Sequence, residues 1–225
     1  MLSKKQLIQD ASDFTGISVE EINELMKNNA EIAVADWHSS SSIENFYKET
    51  LVYVIGLIDF CGDDRICNLI HPLKDLEKGK KILEFGAGIG LLLFELSEDH
   101  EVFYYDLPSK TQDFAKYLAK THDYNVTFLT EDEVYEKEYD IIITTDVLEH
   151  IEKPLDVFIV LGDCLTKNGI MLTTGLDFSY GPHTPMHLME NLDYKEDFLK
   201  HSTDKYDIRF YHPTDKEIIY MLVRK

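Results

Sequence analysis

The chain has 225 residues, 44% hydrophobic and 28% charged, the composition of a folded chain with a core. Twenty-two basic against 42 acidic residues leave a net charge of −20, which repels phosphate backbones and anionic headgroups, so neither nucleic acid nor a membrane surface is an expected partner. Cys61, Cys67 and Cys164 are an odd number without a CxxC pair, and the longest apolar run, Leu51–Ile58, is too short to span a bilayer. A soluble, cytoplasmic protein with reduced thiols is the expectation.

Residues 1–78 read as a helical N-terminal extension. Ser18-Val-Glu-Glu21 has capping-box form, and Ile22, Leu25, Met26, Ala30 and Ala33 follow at helical spacing. After Ser39–Ser42, the residues Ile43, Phe46, Tyr47, Leu51, Val54, Ile55 and Ile58 form one apolar stripe that needs burial. From Lys80 the pattern changes to short β-rich runs alternating with helical segments. Strands are predicted at 81–85, 101–105, 126–129, 140–144 and 170–174, and helices near 89–97, 109–121, 152–165 and 190–201. Such alternation predicts a doubly wound, mostly parallel sheet over residues 79–225. Tyr206–Tyr211 and Glu217–Val223 follow each other without a helix, so an antiparallel pair is predicted to close one edge.

Ile82-Leu-Glu-Phe-Gly86-Ala-Gly88-Ile-Gly90 is a strand running into a glycine-rich turn that opens a helix. Glycines let the backbone turn tightly beside a ligand, and the helix N-terminus favours negative charge, although plain strand–helix packing uses such turns as well. Two acidic positions point to a ligand. Asp106 ends the second strand, twenty residues beyond Gly86, where a carboxylate can accept hydrogen bonds from ribose hydroxyls. Glu131 and Asp132 end the third strand at the same edge. The spacing is G-x-G-x-G, and Leu91 stands where a dinucleotide fold needs a small third residue, so a nicotinamide cofactor is mismatched.

Glu84-Phe-Gly86-Ala-Gly88-Ile-Gly90, Asp106 and Asp146-Val-Leu-Glu-His150-Ile together resemble the class I S-adenosylmethionine-dependent methyltransferases, over roughly residues 80–225. The resemblance implies a Rossmann-like, seven-stranded sheet whose last strand is antiparallel. It also implies that Gly86, Ala87, Gly88 and Gly90 pass beneath the methionine part of S-adenosylmethionine, and that Glu84 orients its amino group. Asp106 would hold the ribose hydroxyls, with Leu107 on the adenine. Asp132, or Glu131 in its place, would meet the adenine amine, and Thr145, Asp146 and Val147 would line the methionine end.

The acceptor side is less marked. Asp177-Phe-Ser-Tyr180-Gly-Pro-His183-Thr-Pro-Met-His187-Leu is too polar and too rich in proline and glycine for a core element. His183 or His187 could serve as a general base, with Tyr180 shaping the acceptor pocket; the alternative is a connector whose histidines cap the next helix. A metal pair of His183 and His187 with Asp177 is a third option, but two histidines four apart suggest one only on a helix and Pro185 argues against a helix there, so no metal ligand is assigned. His150 reads as a helix-end hydrogen-bonding group or a catalytic one. In the extension, Trp37, His38 and Tyr47 are the lid candidates that would contact substrate, although Tyr47 and Phe46 also fit a core stripe. The acidic clusters Glu131–Glu133 and Glu136–Glu138 read as solvated loop.

These readings point to an enzyme that transfers a methyl group from S-adenosylmethionine to an oxygen, nitrogen or carbon of a small-molecule substrate. The alternative keeps the cofactor but transfers or cyclises its aminocarboxypropyl arm, releasing methylthioadenosine. An NAD-dependent oxidoreductase is weakened by Leu91, and a non-catalytic binding module by the joint presence of the glycine loop and Asp106.

Overall fold

The structure, a computed structural model, describes residues 2–60, 73, 76–174, 186–214 and 217–225. Helix starts follow local capping chemistry. Ser3 opens α1 (Lys4–Thr15), its hydroxyl accepting from the Gln6 N–H, and Gly16 closes it in a left-handed conformation. Ser18 opens α2 (Val19–Lys27) with both halves of the capping box formed to Glu21. Then come α3 (Asn29–Ser39), α4 (Ile43–Glu49) and α5 (Val52–Phe60). The stripe from Ile43 to Ile58 is thus divided between two helices. Thr50 ends α4 in extended backbone; its hydroxyl donates to the Asp36 carboxylate at 3.0 Å and accepts from the Val52 N–H. A hydroxyl offering local partners outside the helical ladder stabilises such a break.

The chain divides into two compact units. One comprises Met1–Asp75, Gly88–Glu98 and Asp106–Val126, and so contains α1–α5 together with α6 (Leu91–Leu96) and α7 (Lys110–Thr121). Within it Leu7, Ile22, Phe46, Ile58, Phe114 and Leu118 are buried, Phe14 packs on Phe114 at 5.3 Å, and buried Asp10 meets His122 Nε2 at 2.8 Å.

The other unit comprises Leu76–Ala87, Asp99–Tyr105 and Thr127–Lys225. Its strands are β1 (Lys81–Phe85), β2 (Glu101–Tyr105), β4 (Tyr139–Thr144), β5 (Leu165–Thr173), β6 (Tyr206–Thr214) and β7 (Glu217–Arg224), and β3 (Val126–Phe128) starts one residue before the boundary. They form a seven-stranded sheet in the order β3-β2-β1-β4-β5-β7-β6. β1 pairs in parallel with β2 and β4, and β4 with β5, while β7 runs antiparallel to β5 and β6. The expected fold class therefore holds, with the antiparallel pair at one edge. In β1, β2 and β4 nearly every residue is buried, as a parallel sheet covered on both faces requires. Leu83, Phe85, Phe103, Tyr139, Ile142, Phe158, Leu161, Phe198 and Leu222 share one core cluster with α9 (Pro154–Asp163) and α10 (Lys195–Lys205).

Three local departures from the predicted elements have physical reasons. β5 begins at Leu165, where a helix was predicted: Leu165 pairs with Tyr139, the register then slips, and Ile170 pairs with Ile141. The extra residues are taken up as a bulge with Asn168 at φ 62°. The helix predicted over 190–201 is a 3-10 turn (Met189–Tyr194) followed by α10. Glu131–Glu133, read as loop, lies in the short α8 (Glu131–Tyr135), whose capping box joins Thr130 to Glu133. No described helix is long and apolar enough to cross a membrane.

Candidate active site

The chain leaves β1 through Gly86, Gly88 and Gly90, all with positive φ of 75°, 55° and 79°. At Gly86 two constraints coincide, since a Cβ there would lie 2.3 Å from Cγ2 of Val147. Only glycine accepts both the left-handed backbone and that approach. The Gly86 and Ala87 N–H groups donate to the Tyr105 carbonyl at 2.8 and 3.1 Å, which ties the turn to the end of β2. Glu84, one residue before the end of β1, is 6% exposed.

Gly88 and Asp106 are joined directly. The Gly88 N–H donates to Asp106 Oδ2 at 2.7 Å, and the Leu107 N–H donates to Oδ1 at 2.7 Å. The Gln112 side chain donates to the Asp106 carbonyl at 3.0 Å, steadying the same turn from α7. Burial pushes the Asp106 carboxyl up to about 6, against the opposing pull of the two backbone N–H groups. Leu107 is 43% exposed, a large apolar side chain left open to solvent beside this carboxylate.

At the end of β4, Thr144 is fully buried and Asp146 adopts φ 52°. A non-glycine residue in that region is held there by its surroundings. The holding group is Thr174: its hydroxyl accepts from the Asp146 N–H at 3.0 Å and donates to Asp146 Oδ1 at 2.8 Å. A 3-10 turn (Leu148–His150) follows and is clamped by the chain beyond β5. Asn191, 1% exposed, donates through its amide to the carbonyls of Leu148, Glu149 and Ile151 at 3.3, 3.1 and 3.0 Å. The Leu188 N–H donates to the Glu149 carbonyl at 2.9 Å.

This clamp brings two histidines together. His150 Nδ1 lies 3.0 Å from the Met186 carbonyl, and the His150 and His187 rings meet edge-on with centroids 4.8 Å apart. A carbonyl only accepts, so Nδ1 carries the proton and Nε2 keeps its lone pair. Burial pushes His150 down to about 4, outweighing the opposing effect of the Met186 carbonyl, so the ring is neutral near pH 7. The described residues give this ring a hydrogen bond to the Met186 carbonyl.

The structure distributes the remaining sequence-predicted residues as follows. Thr145, Asp146 and Val147 occupy the turn after β4, with Val147 against Gly86. Glu131 and Asp132 are exposed in the first turn of α8. Trp37 and exposed His38 lie on α3, and Tyr47 on α4. Trp37 packs edge-on against buried Phe46 at 5.1 Å, and Phe46 against Tyr47 at 5.1 Å, so Trp37 and Tyr47 share an aromatic cluster. Tyr180 and His183 lie outside the described residues, as do Asp177 and Pro185. Sequence reasoning missed Glu149, Thr174 and Asn191. Glu149 stood inside the motif already singled out, whereas Thr174 and Asn191 carried no signal because their partners are 28 or more residues away.

A family model described as a methyltransferase domain matches residues 62–208. No curated protein matches the chain. Among solved structures, a candidate caffeoyl-CoA O-methyltransferase from Staphylococcus aureus is similar with a TM-score of 0.59 at 18% identity, over 88% of this chain and 99% of that one. The plantazolicin methyltransferase BpumL, solved with S-adenosylhomocysteine, gives 0.54 at 12% identity over 92% and 98%. Magnesium protoporphyrin IX methyltransferase from Synechocystis PCC 6803, solved with bound S-adenosylmethionine, gives 0.53 at 15% over 91% and 97%. At these identities the likeness is one of fold.

Proposed function

Since the chain belongs to the methyltransferase-domain family by the match over residues 62–208, we propose that it transfers the methyl group of S-adenosylmethionine to a small-molecule acceptor. The observation that carries this reading is the Asp106 carboxylate, fixed by the Gly88 and Leu107 N–H groups at the end of the glycine turn. Both oxygens are already oriented, each with lone-pair capacity left for the two hydroxyls of a ribose. Exposed Leu107 supplies an apolar surface for the adenine face, and Glu131 or Asp132 an acceptor for its amine. Glu84, Gly86, Ala87 and the 145–147 turn provide the methionine end, where Gly86 and Val147 are in close approach.

The chemistry asks little of the protein beyond placement. Bound S-adenosylmethionine would supply an already activated methyl carbon, from which an acceptor lone pair would displace the thioether of S-adenosylhomocysteine, a hydroxyl or protonated amine giving up its proton to a neighbouring base or to water. Alignment at about 3–3.5 Å accounts for most of the acceleration. On this reading His187, half-buried beside His150, is an acceptor-side group. As part of this proposal, residues 1–78 are assigned the lid role, with Trp37, His38 and Tyr47 as the candidates for acceptor contact. The net charge of −20 favours a small acceptor over a nucleic acid.

Calorimetry with S-adenosylmethionine and with NAD, followed by mass spectrometry of the nucleoside product, tests the reading. Binding of the sulfonium nucleoside alone, and S-adenosylhomocysteine as the product, are expected. Binding of NAD, or release of methylthioadenosine, would overturn it.

A further inference from the structure

We propose that Glu149, His150 and His187 form a binding site for a divalent transition-metal cation. Each offers one ligand atom, and these atoms all lie within 4.8 Å of one another. Two imidazoles and one carboxylate are the donor set of three-ligand zinc and related sites, which leave a further position open.

The ring geometry supports a shared ion. With metal–nitrogen bonds of about 2.0–2.1 Å, two imidazoles on one cation have centroids about 4.5 Å apart at a right angle and about 5.2 Å apart at a tetrahedral angle. The His150 and His187 centroids are 4.8 Å apart, between those limits, with the rings at 88°. Side-chain movements of about an ångström bring the ligand atoms to the roughly 3.3 Å separations of a tetrahedral site.

The surroundings hold the ligands as metal sites require. His150 Nδ1–H donates to the Met186 carbonyl, which fixes the tautomer and leaves Nε2 as the ligating atom. The backbone of Glu149 is held by Leu188 N–H and the Asn191 amide, so the residues on either side of His187 are tied to the turn bearing the other two ligands. Glu149 is 4% exposed, placing its carboxylate where a cation's charge is least screened. The open position suits an oxygen donor of the methyl acceptor, a use that rests on the methyl-transfer reading, whereas the cation site itself does not.

Cobalt(II) is the probe, because its visible absorption reports coordination that zinc conceals. Titration of the full chain is expected to show one bound Co²⁺ per chain, with the intensified absorption of a low-coordinate site and displacement by Zn²⁺. His187→Ala is expected to weaken binding at least tenfold, with an unchanged circular dichroism spectrum. If that variant fails to fold, the near-isosteric Glu149→Gln is read in its place, with the same loss expected. An absorption like that of aqueous cobalt, or equal affinity in the folded variant, would overturn the proposal. Calorimetry with S-adenosylmethionine on the same samples separates the two readings. Cobalt bound without the nucleoside sinks the methyl-transfer reading alone, and nucleoside bound without cobalt sinks the cation site alone.

Discussion

If Asp106 holds the ribose hydroxyls as proposed, protonating it and replacing it with asparagine both remove the charge which that contact uses, and they do so on a predictable scale. The carboxyl sits at about 6 in the folded chain against an ordinary value of 3.8, because burial outweighs the hydrogen bonds from Gly88 and Leu107. If only the ionised form accepts both ribose hydroxyls, affinity for S-adenosylmethionine falls about tenfold between pH 7.5 and pH 5. The same shift acts on stability with the opposite sense. A carboxyl with a raised folded value favours folding while protonated, so its contribution is fully present below about pH 3.8 and is lost as pH rises through about 6. A difference of roughly two units makes that contribution about 3 kcal/mol. Asp106→Asn keeps the shape but turns an NH₂ toward one of the two backbone donors, leaving it unsatisfied at about 1–3 kcal/mol. Calorimetric titrations of both forms from pH 5 to 8 at fixed ionic strength are the assay. Wild-type affinity is expected to climb through pH 6 and then level off, and the variant to bind weakly with no slope. A flat wild-type profile, or an equal slope in the variant, would refute the assignment and move the titration to another group.

Gly86→Ala combines a left-handed alanine with a Cβ 2.3 Å from Val147, a cost of about 3 kcal/mol and a melting temperature lower by roughly 6–12 °C. The double variant Gly86→Ala, Val147→Ala should recover part of the loss, and strict additivity in calorimetry would show that this contact is not the cause. Asn191→Ala leaves the carbonyls of Leu148, Glu149 and Ile151 without their shared donor and should cost about 2 kcal/mol in denaturant unfolding. Hydrogen exchange at the Leu188 amide should accelerate with it. Thr174→Val retains volume but removes the hydroxyl that holds Asp146 at φ 52°. It is expected to destabilise by about 1–3 kcal/mol, and an unchanged urea midpoint would mean that the turn is held by other groups.

Much of the molecule was legible because its causes are local. The Ser18 capping box, the buried runs of β1, β2 and β4, and the glycine turn each depend on residues a few positions apart. Even the Gly88–Asp106 bond spans only one helix and one strand, a separation that strand–helix periodicity fixes. Where causes are distant, periodicity is silent. The stripe over Ile43–Ile58 continues across Thr50, where the helix stops with the Thr50 hydroxyl bonded to the distant Asp36 carboxylate of α3 as well as to the Val52 N–H. The strand start at Leu165 depends on Tyr139 as a pairing partner, which sheet order supplies. His150 and His187 were each visible as histidines of interest. Their meeting depends on a clamp between the turn after β4 and the chain after β5, through Asn191, Leu188 and the Met186 carbonyl. Hydrophobic spacing and turn chemistry report on a residue's neighbours along the chain. Side chains brought together from 37 residues apart are decided by strand order and by hydrogen bonds that form only once the sheet exists.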